Sequence, residues 1–178
     1  MAPEYQPQLA TLVKAPPQGE GWLHEVKYDG YRIGCRIAAG QVTLWSRRGN
    51  DWTRDFPEIA RAAAKLDVRS ASIDGEIAVL LPDGRTSFQA LQNSLAGERR
   101  GELVYFAFDL LELDGTDLAR QPLEARKAAL RRILPEAGPI RFSQHWTVPA
   151  RLRDDPWKEY WKLRQKLTAA ALRAVCSL

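Results

Sequence analysis

The stretch Glu25-Val26-Lys27-Tyr28-Asp29-Gly30-Tyr31-Arg32 sets a lysine, two acids and an arginine around a turn signal. Strand alternation sends Glu25 and Lys27 to one face, and Asp29-Gly30 bends the chain just after the amine, which therefore stands at the lip of a sheet. A lysine is a nucleophile only without its proton, and its free pKa of ~10.4 must be lowered by burial or by nearby cations. Attack on phosphorus is one use of such an amine, and it gives a lysyl phosphoramidate. On spacing alone, a surface lysine beside a turn is the simpler reading. Asp74-Gly75, Asp83-Gly84 and Asp114-Gly115 repeat the dipeptide. An isolated pair of this kind reads as a turn because both residues tolerate positive φ. Asp83-Gly84, after Pro82, is read as a turn.

The elements that must carry these residues follow from periodicity. Trp22–Lys27, Tyr31–Ile37 and Gln41–Trp45 read as short strands separated by Asp29-Gly30 and Ala39-Gly40. Pro57–Leu66 has Ile59, Ala60, Ala63 and Leu66 at amphipathic-helix spacing. Ser72–Leu81 reads as a strand, Ser87–Leu95 as a short helix capped by Ser87, and Glu102–Leu113 as a buried central strand. Leu123–Leu134 reads as a helix with Pro122 in its first turn, and Ile140–Ser143 as one more strand. Strands in hairpin-like runs with irregularly placed helices predict an α+β fold with mainly antiparallel sheets.

Four segments in order carry a resemblance. Lys27-Tyr28-Asp29-Gly30-Tyr31-Arg32 resembles the nucleophile motif of the covalent nucleotidyltransferases, which include ATP-dependent DNA ligases, RNA ligases and mRNA capping enzymes. Ser46-Arg47-Arg48-Gly49 resembles the second ligase motif, Ile73-Asp74-Gly75-Glu76-Ile77 the third, and Phe106-Ala107-Phe108-Asp109-Leu110-Leu111 the fourth. Pro7-Gln8-Leu9-Ala10 and Phe88-Gln89-Ala90-Leu91-Gln92 resemble connecting stretches of the ligase domain of bacterial end-joining repair proteins. The likeness runs from about Tyr5 to His145, and the Ser46–Thr53 stretch disfavours an RNA ligase or capping enzyme.

The resemblance implies the N-terminal part of the ATP-grasp-like DNA ligase fold, with ATP as substrate and magnesium as cofactor. Lys27 would attack the α-phosphorus of ATP and store AMP. Glu25 and the Val26 backbone would read the adenine edge. Arg32 and Arg47 would bond ribose or phosphate oxygens, a role suited to a planar fork of donors. Glu76 would hold the ribose hydroxyls or help place magnesium, and Phe108 would stack on the base. For Phe108 the competing reading is a core aromatic, and for Glu76 a solvated strand-end acid. Arg48, Asp51 and Trp52 are weaker candidates, since Asn50-Asp51 can cap a turn and Trp52 can simply pack. His24 and His145 are read as structural. Neither Cys35 nor Cys176 is read as a nucleophile.

After His145 the pattern departs. The resemblance implies a glutamate-bearing strand ending in lysine, a lysine-x-lysine strand and then an OB-fold domain, yet the sequence runs into a stretch rich in Trp, Lys and Arg. Such lysines would neutralise the phosphate as charge moves to pyrophosphate, so complete nick sealing by these residues alone is not expected. The sequence divides into an extended arm (1–20), a partial adenylation domain (21–145) and a basic-aromatic tail (146–178). Trp157, Tyr160, Trp161, Leu163, Leu167, Ala170, Ala171 and Ala174 predict an amphipathic helix over Asp155–Ala174. Its roles left open are covering sheet surface, gripping single-stranded DNA, or self-association.

Composition bounds the rest. The 178 residues are 45% apolar and 27% charged, an ordinary globular balance. The formal net charge is +4, and the tail accounts for all of it, so composition does not establish a DNA partner. No apolar run approaches a membrane span, and two distant cysteines make no disulfide framework, so a reducing cytoplasm is the expected setting. Two functions stay open. One is an adenylation domain forming lysyl-AMP for the joining of nicked or broken DNA in repair. The other is a nucleotide- or DNA-binding remnant without turnover. No DNA-contacting residue is singled out.

Overall fold

The computed structural model describes residues 22–98, 100–147 and 171–176, with side chains for 22–98 and 100–145. In chain order the elements are β1 (Trp22–Lys27), β2 (Tyr31–Ala38), β3 (Gln41–Ser46), α1 (Pro57–Ala63), β4 (Ser70–Leu80) and α2 (Phe88–Leu95). They continue as β5 (Glu102–Leu113), β6 (Thr116–Asp117), α3 (Leu123–Ile133), β7 (Ile140–Phe142), β8 (His145–Thr147) and β9 (Ala171–Cys176). Six strands form the large sheet in the order β3-β2-β4-β5-β6, with β7 parallel to β5. The small sheet is β8-β1-β9, antiparallel throughout. This is the α+β, mainly antiparallel architecture the sequence predicts.

Local chemistry explains most boundaries. The Ser87 hydroxyl accepts from the Ala90 N–H at 3.2 Å, so α2 is capped as expected. Pro122 is the cap residue before α3 rather than a member of its first turn. α1 stops at Ala63, three residues earlier than its apolar spacing suggests, as the chain turns towards β4. Asp83-Gly84 and Asp114-Gly115 are turns, with Gly84, Asp114 and Gly115 at positive φ. Asp74-Gly75 is different: it lies inside β4.

The helix expected over 155–174 meets a different outcome at its end. Residues 171–174 belong to β9, which pairs along the whole of β1 from Trp22 opposite Cys176 to Lys27 opposite Ala171. Helical spacing of apolar residues is a local signal, and the backbone groups on this edge of β1 offer a long-range ladder that overrides it. Residues 155–170 of that expectation, and the arm 1–20, lie outside the described residues.

The large sheet has two unlike faces. On one, Ile33, Cys35, Ile37, Leu44, Ile73, Ile77, Val79 and Tyr105 pack with Phe56, Ile59 and Leu91 into the main core. The other carries Arg32, Asp74, Glu76, Phe106 and Phe108, and a small cluster of Ala78, Val104 and Phe106 with Tyr28 and Leu80. Gly75 is required by close approach: a Cβ there would lie 2.5 Å from the Tyr105 ring. That ring passes under β4, and its hydroxyl lies 2.9 Å from the Ile33 carbonyl oxygen and 3.1 Å from that of Ile73. The register of β5 against β4 steps past Leu111 and again past Phe108, giving two bulges.

Two outcomes follow for stability. Tyr105→Phe removes the only proton shared between those two buried carbonyls and lowers stability by about 1–2 kcal/mol, seen as a reduced urea midpoint at constant slope. An unchanged midpoint would show that the hydroxyl contributes nothing. Burial also holds His24 and His145 below the ordinary histidine value, with Lys127 adding to the effect on His145. The unfolded chain therefore takes up more protons as pH falls through about 6.5, and stability declines with acidification. The urea midpoint at pH 5.5 is expected below that at pH 7.5, and the His24→Gln/His145→Gln double variant flattens the profile. A flat wild-type profile would contradict it.

Candidate functional site

Lys27 ends β1 with its side chain more than half exposed, and its Nζ lies 3.1 Å from Asp29 Oδ1. The turn that follows is fastened at two points, to β4 of the large sheet and to the segment between β4 and α2. The Asp29 N–H donates to Thr86 Oγ1 at 2.9 Å, and the Gly30 N–H donates to Glu76 Oε1 at 2.9 Å. Gly30 runs so close to β4 that a Cβ would sit 2.1 Å from the Ile77 carbonyl oxygen. Glycine is needed here for proximity, and the amine is referenced to the large sheet by backbone contacts rather than by a loose loop.

Arg32 and Glu76 are cross-strand neighbours on β2 and β4. The Arg32 guanidinium forks onto Asp74, donating from Nε to Oδ1 at 3.1 Å and from an Nη to Oδ2 at 2.6 Å. It also lies 4.8 Å from the centre of the Phe108 ring. The fork holds Arg32 over the ring face in one orientation. Phe108 sits at a bulge, the feature that re-aims a strand side chain. Phe106, two residues earlier on the same face, is stacked by Tyr28 at 3.9 Å with the planes 7° apart. Phe106 and Phe108 are 7% and 3% exposed, so a ligand ring reaches either only when its covering side chain moves.

Glu25 is buried and ion-paired with Lys127 from α3, so it lies at the floor beneath Lys27 rather than on the rim. Val26 stands in the ladder opposite Leu172 of β9. Arg47 is exposed on the turn after β3, one residue past Ser46, which pairs with Ile33. That register brings Arg47 to the same end of the sheet as Arg32. The turn itself is closed by Ser46 and Asn50, with the Ser46 N–H donating to the Asn50 carbonyl at 2.9 Å and Gly49 at φ 78°. Arg32, Glu76 and Phe108 thus share one face of the large sheet, Lys27 stands beside it at the end of β1 above Glu25, and Arg47 stands at its margin.

The weaker candidates have structural tasks. Asp51 accepts from the Thr53 hydroxyl and N–H, contacts that hold its carboxyl below the usual range. Trp52 packs on Tyr31 and Phe56. Arg48 is exposed beside Arg47. Burial pushes the Cys35 thiol up to about 12, which removes it as a nucleophile. Among the described residues no group of three or more His, Cys, Asp or Glu side chains forms a metal cage.

Four contributors escape a reading along the chain: Asp74, Lys127, Phe106 and Tyr28. Two of them had a signal. An aspartate inside an apolar strand is out of place unless paired, and Lys127 falls four residues after Leu123 and three before Leu130 on the buried stripe of α3.

The sequence model of a family described as the ATP dependent DNA ligase domain matches residues 7–153. The chain is 43% identical over 152 residues to the multifunctional non-homologous end joining protein LigD of Pseudomonas aeruginosa, covering 84% of this chain and 17% of that protein. It is 30% identical over 129 residues to the SPbeta prophage-derived DNA ligase-like protein LigB of Bacillus subtilis, covering 71% of this chain and 46% of the relative. Among solved structures, the ligase domain of M. tuberculosis LigD superposes with a TM-score of 0.70 at 28% identity, over 88% of this chain and 48% of that one. A mycobacterial DNA ligase D complexed with ATP and MES gives 0.69 at 26% identity, over the same shares. The chain therefore spans about a sixth of the first relative and about half of each solved domain. The chain belongs to the ATP-dependent DNA ligase domain family, in its end-joining LigD type.

Proposed function

We propose that this chain carries out the first step of strand joining, transfer of AMP from ATP to Lys27. The fastened turn carries the reading: Gly30 on Glu76 and Asp29 on Thr86 hold a solvent-facing amine at a fixed point beside Arg32 and Phe108. For attack, the Lys27 ammonium must leave Asp29 and give up a proton to the solvent it faces. A bond then forms from Nζ to the α-phosphorus, the bond from that phosphorus to the bridging oxygen breaks, and pyrophosphate leaves with the electron pair. Arg47 offers a donor fork to ribose or phosphate oxygens, and Arg32, on swinging away from Asp74 and the Phe108 ring, does the same and uncovers that ring for the base. Glu25 and the Val26 backbone meet the base edge. ATP in a solved relative supports the choice of nucleotide.

The described residues fit magnesium carried in by the triphosphate, not a cage of protein ligands. Glu76, on the strand beside the turn, is the carboxylate that would help hold it. The ion would neutralise phosphate charge as pyrophosphate departs. In later steps AMP would pass to a 5′-phosphate at a nick or break in DNA, followed by phosphodiester closure, in the cytoplasm. No helix among the described residues is long and apolar enough to cross a membrane.

Intact-mass measurement after incubation with ATP and magnesium tests the first step. The wild-type chain gains one adenylyl group and Lys27→Ala gains none. An adduct that persists in Lys27→Ala refutes the nucleophile, and a wild type that binds ATP with no adduct favours a binding module. Glu76→Ala frees the turn and slows adduct formation by about 100-fold, the scale expected from misplacing a reacting group by an ångström. An unchanged rate in that variant would show that the clip does not position the amine.

A further inference from the structure

Lys127 takes no part in the step described above, yet it is the most deeply enclosed cation among the described residues. It has no exposed surface, and it interrupts the apolar stripe of α3 between Leu123 and Leu130. An enclosed ammonium is costly unless paired and hydrogen-bonded, and an apolar side chain of like size would fill the position without that cost. What Lys127 touches accounts for it. Its Nζ is ion-paired with Glu25 of β1, donates to the Phe108 carbonyl of β5 at 2.8 Å, and lies 5.5 Å from the centre of the Phe142 ring of β7. Two of these three groups are the ones assigned to the base of the nucleotide. The carbonyl belongs to the residue at the bulge, so the same ammonium fixes both the carboxylate and the backbone that aims the ring.

The pairing also decides what Glu25 can recognise. A carboxylate paired with an ammonium presents hydrogen-bond acceptors. Such acceptors suit the amino group of a 6-aminopurine and repel the oxygen of a 6-oxopurine. We propose that Lys127 is a positioning residue that sets Glu25 and the Phe108 bulge so that the site prefers adenine over guanine nucleotides. This rests on the reading that Glu25 meets the base edge.

The test is equilibrium binding of ATP and of GTP, by calorimetry on the full chain, for the wild type, Glu25→Gln, Lys127→Met and Lys127→Arg. The wild type is expected to prefer ATP by roughly 10- to 100-fold, the scale of one well-placed polar contact. Lys127→Met and Glu25→Gln each bring that ratio to within a few-fold of one, while Lys127→Arg keeps most of it. A merely structural Lys127 would weaken both nucleotides equally, so a wild-type ratio in Lys127→Met overturns the proposal while the loss in Glu25→Gln leaves the Glu25 reading intact. A wild-type ratio in Glu25→Gln overturns that reading and the proposal together, with adduct formation on Lys27 still measurable by mass. A wild type without preference does the same. Where Lys127→Met does not fold, Lys127→Gln, which keeps a donor for the Phe108 carbonyl and drops the charge, takes its place with the same two outcomes.

Discussion

One carboxylate ties the turn after Lys27, the proposed nucleophile, to the large sheet. Glu76 projects from the middle of the large sheet and receives the Gly30 N–H, while Ile77 beside it leaves no room for any residue but glycine. Lys27 belongs to a different sheet, whose own ladder says nothing about where the amine stands relative to Arg32 or Phe108. The contact across the turn supplies that reference, and Thr86 repeats it one residue away. Two sheets that could slide past one another are registered at the point where the chemistry is proposed to happen.

The division of the large sheet into a greasy face and a polar face comes from strand alternation, but the bulges give the polar face its shape. By stepping past Phe108, β5 turns an aromatic ring under Arg32 and aims a carbonyl at α3. Asp74 then fixes the arginine and Lys127 fixes the carbonyl. Each cation on this face is spoken for by a specific acid, Arg32 by Asp74 and Lys127 by Glu25, and this keeps a densely charged surface in a single arrangement. Arg126 and Asp109 add a third fork at the next turn of the strand.

Much of this was legible along the chain because it is written in local signals. The strands around Asp29-Gly30, the Ser87 cap and the entry to α3 all follow from neighbours in sequence. The Asp74-Gly75 pair shows where such reading stops. It has the same letters as three real bends, yet Tyr105 passes beneath its glycine and Arg32 holds its aspartate, and both partners are distant in sequence. Lys127 was hidden for a related reason: its helix reads as amphipathic with one flaw, and only the packing of β1 and β5 shows the flaw to be a connection. Residues 171–174 invert the case. Their helical periodicity is clear, but the edge of β1 needs hydrogen-bond partners and takes them.

The placing of β1 has a consequence for how the molecule is assembled. β8 lies on one flank and β9 on the other, so the segment that ends in Lys27 is flanked by residues far later in the chain. Closing such wide loops is slow, and a chain emerging in order from a ribosome holds β1 exposed until β8 and β9 arrive. The amine is made before the strands that lock it, so ordering of this segment waits on residues 145–147 and 171–176.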